Sequence, residues 1–167
     1  MIIETARLRV RDLRSSDAPA LYAVYADPEV MRCIEPPFTR ERTREFIETA
    51  GLCDPPLVYA VERKDGGAPV GHVIFHACAG DGETFELGWI LSRALWGQGL
   101  ATELTLALLA EAKRRGVRTA VLECVPEQKA TARIAEKCGF TFAGSADGLL
   151  EFRKVLTEGS DNGHPAL

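Results

Sequence analysis

ELGWILSRALWGQGLATELTLALLAEAKRRG, Glu86 to Gly116, passes from an apolar strand pattern through a Gly-Gln-Gly turn straight into a long helical pattern. Glycine permits backbone conformations and close approaches that side chains forbid. A helix N-terminus offers unpaired N–H groups and a partial positive charge. Together these predict a backbone cradle for an anion, with a phosphate-bearing ligand as occupant. A turn that only redirects the chain uses the same glycines, but the opening QGLATEL is short of side chains that would block a ligand. Two other phosphate binders fail on spacing. A P-loop needs a lysine that does not follow Gly99, and a dinucleotide fingerprint needs a small residue where Thr102 stands.

Working outward, ARLRVRDL alternates as a half-buried strand, and Asp17 with Pro19 predicts a helix start. ADPEV breaks and restarts a short helix, and Thr39 to Gly51 bounds a polar one. LVYAVER, KDGGAP and VGHVIFHACA read as a hairpin, and GDGE leads into a third strand, TFELGWIL. After the helix ending near Arg115, TAVLECV is a buried strand, and PEQKATARIAEKCG a helix opening at Pro126. FTFAGSADGLLEFRKVL predicts two strands around an Asp-Gly turn. The expected architecture is α+β (mixed α/β), a mostly antiparallel sheet with one parallel crossover and flanking helices. Residues 1–157 are expected to form one domain, and the polar segment 158–167 a disordered tail.

Bulk properties narrow the function. A chain of 167 residues buries about 70% of its unfolded surface without staples. A net charge of −4 argues against nonspecific nucleic-acid binding. Five scattered cysteines without a CxxC pair fit reduced thiols in a cytoplasmic protein. The N-terminus lacks a signal-peptide pattern, and no apolar run approaches the ~18 residues of a membrane span.

The segments ETARLRVRDLRSSDA, YADPEVMR, VGHVIF, FELGWILSRALWGQGLATEL and KATARIAEKCGF, in this order, resemble the GNAT superfamily of N-acetyltransferases, particularly its RimJ/RimL-like branch. The resemblance implies the GNAT fold, a twisted sheet with two splayed strands, and acetyl-CoA as donor. The glycine signature of the family falls on Trp96 to Ala101, with Trp96 in place of Gln or Arg. It implies that backbone N–H groups of Gly97, Gln98, Gly99, Leu100, Ala101 and Thr102 hold the pyrophosphate, and that Trp89, Ile90 and Leu91 pair with pantetheine. A second motif, usually N-x-x-S, falls on Gln128 and Thr131.

Transfer to an amine needs a positioned thioester, a deprotonated amine and a stabilised leaving thiolate, with no covalent enzyme intermediate. Glu86 is the candidate base; a solvent-facing glutamate or an ion pair are its other readings. Glu103 is a second base candidate; its other reading is a carboxylate in the first helical turn, favoured there electrostatically without any catalytic role. Ala135 stands where many family members carry an acid tyrosine, leaving Thr131 to hydrogen-bond the sulfur or simply its own helix backbone. Cys124 reads as core, and His72 and His76 share a strand face without a metal-ligand set. Trp96 either covers the ligand or anchors the turn. The KRRG run is a dipole-favoured helix end that in the family touches the 3′-phosphate. Glu35 and Glu41 either attract an ammonium or sit as solvated helix charges. The expected reaction is direct acetyl transfer from acetyl-CoA to a primary amine, a protein N-terminus or a small molecule. A CoA-binding module without catalysis and a longer acyl donor are the alternatives. An exposed strand near the C-terminus allows a homodimer.

Overall fold

The computed structural model describes residues 1–80 and 82–156; the expected polar tail at 158–167 lies outside them. Eight strands form one sheet: β1 (Ile3–Glu4), β2 (Leu8–Arg11), β3 (Val58–Arg63), β4 (Pro69–Ala77), β5 (Thr84–Leu91), β6 (Thr119–Cys124), β7 (Thr141–Ala146) and β8 (Leu149–Val155). Their spatial order is β1-β2-β3-β4-β5-β6-β8-β7. Every pairing is antiparallel except β5 with β6. That parallel pair needs a crossover, which α4 (Leu100–Arg114) supplies.

Alternation along the strands divides the apolar residues between two layers. Val73, Phe75, Leu87, Ala120, Leu122 and Phe152 pack with Leu104, Leu108 and Ala112 of α4 and Ala135 of α5 (Lys129–Lys137). On the other face Val58, Ala60 and Ile74 meet α1 (Ala18–Tyr25), α2 (Pro28–Met31) and the segment of α3 (Arg40–Phe46) that continues as a wide turn to Gly51. Gly51 has a packing reason: a Cβ there would lie 2.4 Å from Leu13 Cδ1. The Asp147-Gly148 turn has both residues at positive φ, 52° and 81°, as a two-residue hairpin requires.

One expected helix start keeps its place without its cap bond, and another shifts. Asp17 does precede α1, yet its carboxylate makes no cap bond to that helix. It accepts instead from Arg11 Nη1 and Nη2 at 2.8 and 2.9 Å and from the Arg14 N–H. Arg11 also donates to Glu62 at 2.9 Å, so a buried cation is held by two carboxylates, and the guanidinium is stabilised in its charged form first by Asp17. α5 begins at Lys129 rather than Pro126. Gln128 uses its side chain to accept from Val125 N–H and its own N–H to donate to Val125 O, closing the turn before the helix.

Candidate active site

The sheet opens between β5 and β6. Their parallel ladder has three rungs, ending at Glu86 opposite Val121, although β5 continues to Leu91 and β6 to Cys124. Each strand stays with its antiparallel partner beyond that point: β5 with β4 as far as Leu91 opposite Gly71, and β6 with β8 as far as Cys124 opposite Leu150. The register decides which groups face the gap. Ser92 N–H donates to Val70 O and Cys78 N–H to Thr84 O, so even-numbered residues of β5 bond to β4. Glu83 O accepts from the segment entering β6, so odd-numbered residues point the other way. Leu87 N–H closes the last rung on Val121, and beyond it Trp89 and Leu91 direct backbone N–H and C=O into the gap, whereas Ile90 contributes its side chain. The Leu91 carbonyl already accepts from Trp96 Nε1 at 3.0 Å.

A cavity of about 350 Å³ occupies the opening. It is lined by Trp89, Ile90, Leu91, Trp96, Gly97 and Ala101 on one side and by Gln128, Thr131 and Ile134 on the other. Arg32, Cys33 and Ile34, after α2, form the third wall. These three, with Glu127 and Lys129, also line a broad open groove of about 1040 Å³ that runs along Glu35, Pro36 and Pro37. The two spaces meet at Cys33 and Ile34. Glu35 is paired with Arg42 at 3.5 Å, and Glu41 lies in the first turn of α3.

Gly97 and Gly99 both take the left-handed conformation, φ 72° and 75°. A Cβ on Gly97 would meet nothing within 4 Å, and one on Gly99 only Arg7 Nη2, at 3.8 Å. The first backbone bond into α4 runs from Glu103 N–H to Gly99 O. Among the described residues no backbone carbonyl accepts from Gly97, Gln98 or Gly99 N–H. Unpaired donors, helix N-terminus and open space thus coincide, which fits the pyrophosphate of CoA. The side chains divide differently from the backbone. Leu100 is buried in the core, and the Gln98 amide donates to Ala94 O. Trp96 leaves its ring half exposed over the cavity while its N–H holds Leu91, so it borders the ligand space instead of filling the core.

Thr131 faces the cavity from the first turn of α5. Thr43, Thr49 and Thr105 each donate to a carbonyl one turn back. The Thr131 hydroxyl has no such bond among the described residues and remains available. Ala135 is fully buried, and Cys124 and Cys138 lie in the core, where burial pushes both thiols up. Among the described residues no group of His, Cys, Asp and Glu could hold a metal.

Glu86 stands at the last rung before the opening but outside the lining of both cavities, one-third exposed, with Oε2 3.3 Å from His76 Nε2. His76 Nδ1 lies 3.0 Å from Ala77 O, and a carbonyl only accepts, so Nδ1 carries a proton. Bonding to Glu86 then requires a proton on Nε2 as well, and Glu86 raises the His76 pKa for that reason, against the effect of burial. Counting five residues each way from position 81 reaches His76 and Glu86 together, a cross-strand relation that a same-strand comparison of His72 and His76 overlooks. His72 is buried elsewhere, 2.6 Å from the Tyr25 hydroxyl, with burial lowering its pKa to about 4. Glu123 and Glu151 are cross-strand partners on the same side as Glu86. Burial first, then the charges of Glu86 and Glu151, push Glu123 up. Sequence alone does not bring these three carboxylates together, because they come from three strands.

Glu103 is accounted for by structure: Thr5 Oγ1, Arg7 N–H and Arg7 Nε all donate to it. The two KRRG arginines are likewise engaged, Arg114 and Arg115 both on Glu111, whose pKa Arg114 and then Arg115 lower to about 2 against the opposing effect of burial.

Known proteins share this architecture. The family described as Acetyltransferase (GNAT) domain matches residues 7–141. A Bacillus subtilis (strain 168) protein, the uncharacterized N-acetyltransferase YnaD, is 28% identical over 163 residues, spanning 96% of this chain and 91% of that protein. A GNAT-family acetyltransferase structure from Bacillus anthracis superposes with a TM-score of 0.85 at 26% identity, covering 95% of this chain and 100% of that one. RimL, a ribosomal L7/L12 α-N-protein acetyltransferase solved with coenzyme A, shares the fold at a TM-score of 0.80 and 20% identity, covering 93% and 98%. With more than half of its residues inside the family match, and with the split sheet and glycine cradle in place, the chain belongs to the GNAT acetyltransferase family.

Proposed function

We propose that this acyltransferase moves an acetyl group directly from acetyl-CoA to a primary amine that enters from the open groove beside α2. The observation that carries the reading is the split between β5 and β6. It leaves the backbone of Trp89 without a β6 partner at a cavity that ends at Thr131 on one side and at the Gly97–Ala101 cradle on the other. Acetyl-CoA brings the activated thioester; the chain supplies position and proton traffic. Trp89 pairs with amide groups of the pantetheine arm, and Gly97 to Thr102 receive the pyrophosphate. Thr131 donates its free hydroxyl hydrogen bond to the sulfur as charge builds there, a role left to it by the apolar Ala135.

Glu86 accepts the ammonium proton, directly or through one water, and His76 orients the carboxylate. Glu123 and Glu151 add negative potential on the same face, which favours a cationic acceptor. The groove is open along Ile34 to Pro37, so it admits an acceptor longer than a free small amine, and a peptide N-terminus is the reading it supports best.

The test is CoA thiol release from acetyl-CoA with a panel of peptides differing at the first residue, alongside small diamines and amino sugars. Turnover confined to free α-amines supports the reading, and it must disappear when the same peptides are N-terminally blocked. Turnover only with small amines removes the peptide assignment. CoA binding without turnover of any amine removes the catalytic one, and preference for succinyl-CoA over acetyl-CoA removes the donor.

A further inference from the structure

Among the described residues, and beyond the Trp96 N–H bond to Arg93 O, the Gly-Gln-Gly turn is held by four hydrogen bonds, three of them local. Trp96 Nε1 donates to Leu91 O, the Gln98 amide to Ala94 O, and Glu103 N–H to Gly99 O. The fourth comes from far along the chain: Arg7 Nη1 donates to Gln98 O at 2.9 Å. It is the bond among the four that acts on the carbonyl of the peptide unit between Gln98 and Gly99. A trans peptide unit is planar, with its C=O and N–H pointing in opposite directions. Fixing the Gln98 carbonyl on Arg7 therefore turns the Gly99 N–H to the opposite side. A flip of this unit changes only ψ of residue 98 and φ of residue 99, and glycine puts no Cβ in the way. The flipped form would present a carbonyl oxygen where a phosphate needs a donor.

We propose that Arg7 is a positioning residue for the donor site, pinning the Gln98–Gly99 peptide so that the cradle shows a donor and not a carbonyl to the anion. The inference rests on the reading of Gly97 to Thr102 as the phosphate cradle. Arg7 is half exposed, yet its side chain and backbone are both bound to Glu103. Its Nε and Nη2 both reach Glu103 Oε2 at 2.7 Å, and its N–H donates to Glu103 Oε1 at 2.9 Å. Thr5 Oγ1 donates to the same carboxylate oxygen. Glu103 neutralises Arg7, so the pair acts through geometry more than through net charge. The planar guanidinium serves carboxylate and carbonyl at once, which an ammonium on a lysine stem does not reproduce.

The experiment measures CoA and acetyl-CoA affinity by calorimetry at two salt concentrations, and steady-state kinetics with an amine that the panel identifies. Wild type, Arg7→Met, Arg7→Lys and the nearby exposed Arg9→Met are compared. Arg7→Met is expected to weaken CoA binding about tenfold, the scale of one charge-assisted hydrogen bond, with an unchanged salt dependence. The KM for acetyl-CoA rises by the same factor, while kcat and the KM for the amine hold. Arg7→Lys does not rescue, and Arg9→Met has no effect on either constant. Unchanged affinity in Arg7→Met overturns the proposal. So does a loss of affinity together with a shallower salt dependence, because Arg7 would then be a phosphate ligand itself. If Arg7→Met does not fold, Thr5→Val and Glu103→Gln loosen the same clamp and must reproduce the rise in KM; unchanged KM in both overturns it. A wild-type chain that fails to bind CoA at all refutes the cradle, not merely the clamp.

Discussion

Replacing Gly97 by alanine separates a ligand cradle from a turn that is only architecture. Gly97 and Gly116 sit just before and just after α4, with φ 72° and 77°, and a Cβ at either position would find no atom within 4 Å. Alanine at either site pays the same kind of penalty, the left-handed conformation, of roughly 1–2 kcal/mol. For a chain of this length that lowers Tm by about 2–8 °C. The folding cost therefore does not distinguish the two variants, and ligand affinity does. At Gly97 the added methyl enters the space beside the unpaired N–H groups. Displacing a phosphate from a single charge-assisted hydrogen bond costs about 1.5–3 kcal/mol, tenfold or more in Kd. Gly116 ends α4 at its far terminus, away from the cavity lining, and its variant keeps wild-type affinity.

Titration calorimetry with CoA, paired with thermal melts of each apo protein, reads both quantities. Equal loss of stability with CoA affinity retained in Gly97→Ala would refute the anion-cradle argument, whatever the family resemblance suggests. A loss of affinity in Gly116→Ala of the same size would refute it too, by showing that strain spreads along α4.

The remaining predictions concern the chemistry. Thr131→Ala should lower kcat about tenfold with little change in CoA affinity, and Thr131→Ser should restore most of it, because only the hydroxyl is needed; equal kcat in all three proteins removes the sulfur role. Glu86→Gln should cost about a hundredfold in kcat, within the usual range for a general base, while leaving CoA binding intact; an unchanged kcat would transfer attention to Glu123. His76 carries a pKa raised from 6.5 by Glu86, so the stabilisation from this pair is complete below the unfolded value and is lost as pH rises through the folded one. The melting temperature of His76→Gln should accordingly fall furthest below wild type at pH below 6.5 and converge with it as pH rises through the raised folded value; a gap that widens with pH would reverse the assigned proton.

Much of this site was legible because its determinants are short-range. The two glycines, the helix that follows, and the strand before it all lie within Glu86–Gly116, and their conformations follow from local chemistry. Thr131 was singled out by the resemblance of Gln128–Thr131 to the second family motif. What stayed hidden depends on register between distant segments. Arg7 reaches Gln98 and Glu103 across some ninety residues, and no local pattern announces it. Glu86, Glu123 and Glu151 converge only because β6 lies between β5 and β8. Asp17 had the composition of a cap, but a buried arginine outcompeted the helix N–H groups for its oxygens. Pro126 had the composition of a helix start, but Gln128 folded back on Val125 and delayed the helix.

The divergence of β5 from β6 also bears on the kind of ligand. Adjacent strands twist by about 20–25° relative to each other. Two central strands that each keep a long antiparallel partner can part along a line where only three rungs join them. Parting strips hydrogen bonds from the facing edges, and unpaired backbone groups in a water-poor wedge are costly. The chain covers the two ends itself: Trp96 takes the Leu91 carbonyl, and Gln128 takes the Val125 N–H. Between those caps the backbone edge of Trp89 is left to a visitor. A compact triphosphate can satisfy the glycine turn, but it offers nothing to a strand edge several residues long. A narrow arm bearing two amides and ending in a diphosphate satisfies both. The split sheet and the Gly-Gln-Gly turn therefore make a single demand, and coenzyme A meets it.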